Sequence, residues 1–102
     1  MYRFILTRKA EQELSREINY SEKKWGRNHA LSYSHELRVK INNICKTPYI
    51  NPVQHQVGNN IRAVIHKENW IIYHINEEKK QIEVLGFPSI YKTLKNAFIP
   101  LT

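Results

Sequence analysis

A chain of 102 residues has room for one domain, 1–102, with a single modest core that buries somewhat over about 60 % of the unfolded surface, and a second domain is not expected. Sixteen Lys and Arg against nine Asp and Glu give a net charge of +7, a surface that attracts polyanions or an acidic protein partner. The lone cysteine, Cys45, excludes an internal disulfide, and no apolar run approaches the about 20 residues that span a bilayer, so a cytoplasmic protein without membrane association is expected.

In chain order, Tyr2 to Leu6 reads as a short strand, and Thr7 is a good N-cap for the helix that follows. Ala10, Leu14, Ile18 and Trp25 fall on one face of that helix, with glutamates early and Lys23 and Lys24 late, as the macrodipole prefers. On this spacing Trp25 plugs the apolar stripe. Gly26 ends the helix, and Asn28 is the expected cap of a second one, whose stripe of Ala30, Ser34, Leu37, Ile41, Ile44 and Cys45 runs until Pro48 stops it. A connection of about three residues makes the two helices antiparallel.

From Thr47 to Asn60 no period can be counted, and prolines, asparagines and a glycine mark a loop longer than usual in a compact domain, hence functional or partly mobile. Three strands follow, Ile61 to His66, Trp70 to Ile75 and Ile82 to Phe87, each rich in β-branched and aromatic residues. They form an antiparallel meander that cannot hide an apolar face alone and needs the helical hairpin as cover. With Lys67-Glu68-Asn69 as a three-residue loop, Arg62 lies opposite His74 and His66 opposite Trp70, which gathers all four on one open face and leaves Ile61, Ala63 and Ile65 with Ile71, Tyr73 and Ile75 under the helices. Pro88 and Ser89 open a last helical pattern through Ile90, Tyr91, Leu94, Ala97 and Phe98, with Lys92 and Lys95 on its other side. The fold class is α+β, in the order β-α-α-β-β-β-α.

That order, with Thr7 followed by Ala10 and Leu14, the Trp25-Gly26 helix end, Leu37 and Ile44 before Pro48, Gly58 before Ile61-Arg62, and Ile72-Tyr73 before Ile75, resembles the RelE/ParE superfamily of toxins from type II toxin–antitoxin systems. The resemblance covers most of the chain, roughly 2–87, and implies a small sheet backed by a helical hairpin, a bacterial source, and a cognate antitoxin, acidic and helical or extended, encoded alongside. It also implies one of two targets. ParE-like members act on DNA gyrase; RelE-like members cleave messenger RNA in the ribosome. A toxin-like scaffold that only binds its antitoxin is a third reading.

Cleaving RNA by attack of a 2′-hydroxyl on the adjacent phosphate needs a base, an acid and cations for the phosphorane charge. If the chain is a ribonuclease, Arg62, His74 and Tyr91 are the candidates for that work. The segment from Gly86 to Lys92 contains neither Arg nor His, where the nuclease branch commonly has one, so the ParE-like inhibitor reading is favoured. Candidate residues for nucleic-acid or target binding are Arg62, His66, Trp70, Lys92 and Lys95, together with Lys23, Lys24 and Arg27 beside the hairpin turn. The five histidines show no ligand spacing, and neither a metal nor another cofactor is expected.

Overall fold

The computed structural model describes residues 1–91. Lys92, Lys95 and most of the helical pattern from Ile90 to Phe98 lie outside the described residues. The elements are β1 (Arg3–Leu6), α1 (Arg8–Trp25), α2 (Arg27–Lys46), β2 (Ile61–His66), β3 (Asn69–Asn76) and β4 (Gln81–Gly86). They form a four-stranded mixed sheet in the order β1-β4-β3-β2, in which β1 runs parallel to β4 and the other pairs are antiparallel. The helical hairpin lies on one face.

Local chemistry sets each boundary. Thr7 caps α1 through its Oγ1, which accepts the Ala10 amide at 3.2 Å, and its own amide donates to the Val84 carbonyl at 3.0 Å, joining the helix start to β4. Gly26 closes α1 with its N–H on the Glu22 carbonyl at 2.9 Å. Its φ of 96° is a conformation that glycine reaches without a Cβ penalty. The same residue also opens α2, since Ala30 donates to the Gly26 carbonyl at 3.2 Å. The hairpin link is therefore one residue rather than about three, and Asn28 sits inside the first turn of α2 instead of capping it.

The main core joins Ala10, Leu37, Ile41, Ile44 and Cys45 of the helices to Ile71, Tyr73, Ile75, Ile82, Val84 and Phe87. Burial pushes the Cys45 thiol above its ordinary pKa and keeps it a small apolar filler. A smaller cluster on the opposite sheet face holds Val57, Ala63 and Ile72, with Ile61, Trp70 and Leu85 against it. Trp25 is not a plug. It is 61 % exposed, while Ser21, one turn earlier, is buried.

The sheet register differs from the one the sequence suggests. The β2–β3 connection is Lys67-Glu68 alone, with Lys67 at φ 57°, so Ile61 pairs with His74, Arg62 with Tyr73, Ala63 with Ile72, Val64 with Ile71, Ile65 with Trp70 and His66 with Asn69. Directly paired residues project to the same side. Arg62, Val64 and His66 therefore share the helix side with Tyr73 and Ile71, and Ile61, Ala63 and Ile65 share the open side with His74, Ile72 and Trp70. Shortening the loop by one residue exchanged the faces of β2 relative to β3.

At the end of β4 the Glu13 carboxylate reaches from α1 to the sheet, and its Oε1 accepts the Phe87 amide at 2.8 Å. A Cβ at Gly86 would stand 2.7 Å from that oxygen. Gly86→Ala is expected to push the carboxylate off the buried amide and destabilise the domain by about 1–3 kcal/mol in denaturant unfolding. The same change in a Glu13→Ala background is expected to cost measurably less.

Candidate functional site

Among the described residues, three groups of polar side chains hold the sequence-predicted candidates, set by the sheet faces and by the end of the hairpin. The first surrounds Arg62 on the helix side. Its Nη1 donates to the carbonyls of Asn51 at 2.6 Å and Tyr49 at 3.2 Å, and its guanidinium stacks 5.1 Å from the Tyr49 ring. The Tyr73 hydroxyl, next to it, donates to the Pro48 carbonyl at 2.7 Å and accepts from Asn51 Nδ2 at 3.1 Å. An antiparallel bridge from Val53 to Arg62 and the Gln54 amide on the Ile61 carbonyl at 2.7 Å complete the attachment of the long loop to β2. Arg62 is thus a loop anchor with its charge directed at backbone oxygens.

Beyond the loop, the hydroxyls of Tyr2 and Tyr49 both donate to Glu77 Oε1, and Lys80 approaches Oε2 at 3.5 Å. The two hydroxyl bonds hold the Glu77 carboxyl below its usual pKa. Nothing in the sequence marks this trio, because Tyr2, Tyr49 and Glu77 come from three separate segments with no motif between them.

The second group lies on the open face. His74 Nδ1 meets Glu83 Oε1 at 2.9 Å, and Asn76 Nδ2 donates to Glu83 Oε2 at 3.2 Å. Burial alone would raise the Glu83 carboxyl, but the hydrogen bonds from His74 and Asn76 outweigh it and leave the pKa lowered. Trp70 is on this side as well, packed at the edge of the smaller cluster. His66 is on the helix side, half-buried 6.0 Å from the Tyr33 ring, with Nε2 lacking a partner. Burial and then Lys67 push its pKa down, which favours the neutral ring.

The third group is the exposed end of the hairpin, where Lys23, Lys24 and Arg27 neighbour Trp25 in the sequence and the Lys24 ammonium lies 5.2 Å from its ring. Tyr91 stands apart from Arg62 and His74. It is 80 % exposed, its amide donates to Ser89 Oγ at 3.1 Å, and it borders a shallow hollow with Glu17, Tyr20 and Glu68. Among the described residues no group of three or more His, Cys, Asp or Glu is placed to hold a metal ion. No described helix is long and apolar enough to cross a membrane.

The family model for the ParE toxin of the type II toxin–antitoxin system parDE matches residues 4–88. The chain belongs to the ParE toxin family. This ParE-family chain is also similar in fold to a protein of the chromosomal ParDE toxin–antitoxin system from P. aeruginosa, with a TM-score of 0.73 at 14 % identity over 88 % of this chain and 97 % of that one. A chain of the intact E. coli RelBE toxin–antitoxin complex aligns with a TM-score of 0.59 at 15 % identity, over 85 % of this chain and 94 % of that one. The isolated E. coli RelE toxin gives 0.63 at 14 % identity, over 92 % and 89 %. No curated protein matches the sequence. At such identities the solved structures show a shared fold, and the family match places this chain on the ParE side of the superfamily.

Two stability experiments test the geometry of this ParE-family domain. Tyr73→Phe leaves the buried Pro48 carbonyl without its donor and is expected to cost about 1–3 kcal/mol in urea unfolding. The His74–Glu83 pair carries a pH signature. A carboxyl with a lowered folded pKa stabilises above its unfolded value, near 4.5, and loses that contribution as pH falls through the folded one. Wild type is therefore expected to exceed Glu83→Gln in stability at pH 7, with the gap closing as the pH is taken well below 4.5.

Proposed function

We propose that this ParE-family chain is a toxin that inhibits DNA gyrase and is neutralised by a co-encoded acidic antitoxin. The observation that carries the choice of an inhibitor over a ribonuclease is the position of Arg62 and His74. They belong to adjacent strands but project to opposite sides of the sheet, with Tyr73 sharing the side of Arg62 and Ile61 that of His74. Arg62 is engaged by the Tyr49 and Asn51 carbonyls, His74 by Glu83, and Tyr91 lies beside α1. An acid and a base must reach the same phosphate to cleave it, and losing one of them slows such a reaction by about 100- to 10,000-fold. An inhibitor needs only a surface. The family match supports the gyrase target, and the parDE system named in it supports a paired antitoxin. The net charge of +7 favours an acidic partner segment.

The test is a gyrase supercoiling assay run beside a ribosome-dependent cleavage assay on the same preparation. Wild type is expected to block supercoiling and leave ribosome-bound messenger intact, with Tyr91→Phe and His74→Ala as potent as wild type. Arg62→Ala is expected to weaken inhibition by loosening the loop from Tyr49 to Asn51. Codon-linked cleavage by the wild type, abolished in Tyr91→Phe or His74→Ala, would replace the inhibitor reading with the RelE-like one.

A further inference from the structure

At the end of the hairpin, α1, α2 and the β2–β3 turn enclose a cleft of about 410 Å³. Tyr20, Trp25 and Tyr33 supply aromatic walls, and Lys24 stands at its edge, 5.2 Å from the Trp25 ring and 3.1 Å from the Tyr20 hydroxyl. Tyr20 and Trp25 are 57 % and 61 % exposed, an unusual expense of aromatic surface at the tip of a soluble hairpin. Ser21 also lines the cleft. It is only 8 % exposed, and its buried Oγ has no hydrogen-bond partner, a cost that a ligand donor or acceptor in the cleft would relieve.

Electrostatics divides the cleft into two ends. Glu17 and Glu68 line one part, with Lys67 next to Glu68, and their carboxylates offer acceptors to groups of a ligand that donate hydrogen bonds. Lys24 lines the other, beside the start of α2, which has no side-chain cap and no acidic residue in its first turn, and Lys23 and Arg27 adjoin it in the sequence. An uncapped helix start presents backbone N–H groups and the positive end of the macrodipole to an anion. An aromatic ring next to these donors gives stacking and phosphate binding within one nucleotide's reach, while the glutamates face groups that donate hydrogen bonds.

We propose that this end of the hairpin binds one unstacked base of a single-stranded nucleic acid, with the base against Trp25 in the cleft and the adjoining phosphate at the start of α2 beside Lys24 and Arg27. Duplex DNA keeps its bases stacked and cannot enter. A protein with a net charge of +7 attracts any polyanion, so the distinguishing property is dependence on the Trp25 ring and on an unpaired strand.

The test uses the full chain and fluorescence anisotropy of a labelled single-stranded oligonucleotide of about 12 nucleotides at low salt. Trp25→Ala is expected to weaken binding by about 5- to 100-fold, and Trp25→Phe, which keeps a ring, to restore part of the loss. Arg38→Ala, which removes one exposed charge from α2 away from the cleft, is expected to cause only a small drop, and a duplex of the same length is expected to bind more weakly than the strand at moderate salt. The proposal is overturned if Trp25→Ala weakens binding no more than Arg38→Ala or if the duplex binds as tightly as the strand. Circular dichroism confirms folding of each variant. Gyrase inhibition is scored separately on the same proteins, and Trp25-dependent strand binding supports the cleft assignment whichever way that assay falls.

Discussion

The turn at Lys67-Glu68 is the constraint on which the rest of the domain depends. A two-residue connection fixes β2 against β3 one residue away from the pairing that a three-residue loop would impose, and side chains alternate with a period of two. That single step places Val64 beside Ile71 under the helices and sends Ala63 and Ile72 to the smaller cluster under Val57. Lys67 adopts a left-handed φ of 57° there, which costs a side-chain-bearing residue about 1–2 kcal/mol. Its ammonium lies 2.6 Å from Glu36 and 5.8 Å from the Tyr33 ring, so α2 holds the turn, though the exposed ion pair contributes at most about 1 kcal/mol. The larger compensation is the apolar packing that the register allows.

Register also decides what Arg62 does. On the helix side at the start of β2 it meets the loop from Pro48 to Val53, and together with Tyr73 it supplies donors for three loop carbonyls that would otherwise lie near the sheet without protein partners. The long loop is accordingly part of the folded framework. Val57 is buried in the smaller cluster, and Gly58 lies close enough to Ile61 that a Cβ would meet its Cδ1 at 2.8 Å. A charged residue at the edge of a sheet invites a catalytic reading, yet here its geometry is that of an anchor.

Much of this was legible in the sequence, and the parts that were not share a physical origin. The strands were visible in their β-branched runs, Thr7 as a cap, Gly26 as a helix end and the stripe from Leu37 to Cys45 as core, because each depends on neighbours within one turn or one strand. The register was hidden because Asn69 reads as a turn residue, whereas its side chain donates to the Phe87 carbonyl at 2.8 Å and makes it the first residue of β3. Trp25 was misplaced for a related reason. Its spacing fits the α1 stripe, but the last turn of the helix reaches the β2–β3 turn, where Lys67 to Asn69 leave a cleft and no strand to cover the ring. The parallel pairing of β1 with β4, and the meeting of Tyr2, Tyr49 and Glu77, depend on distant segments that local pattern does not connect.

The inhibitor reading proposed above rests on the separation of Arg62 from His74 across the sheet. The measurement closest to that claim is the interstrand NOE pattern of β2 and β3 by nuclear magnetic resonance. The account requires backbone contacts that pair Arg62 with Tyr73 and Ile61 with His74. Contacts pairing Arg62 directly with His74 would return both side chains to one face and contradict it.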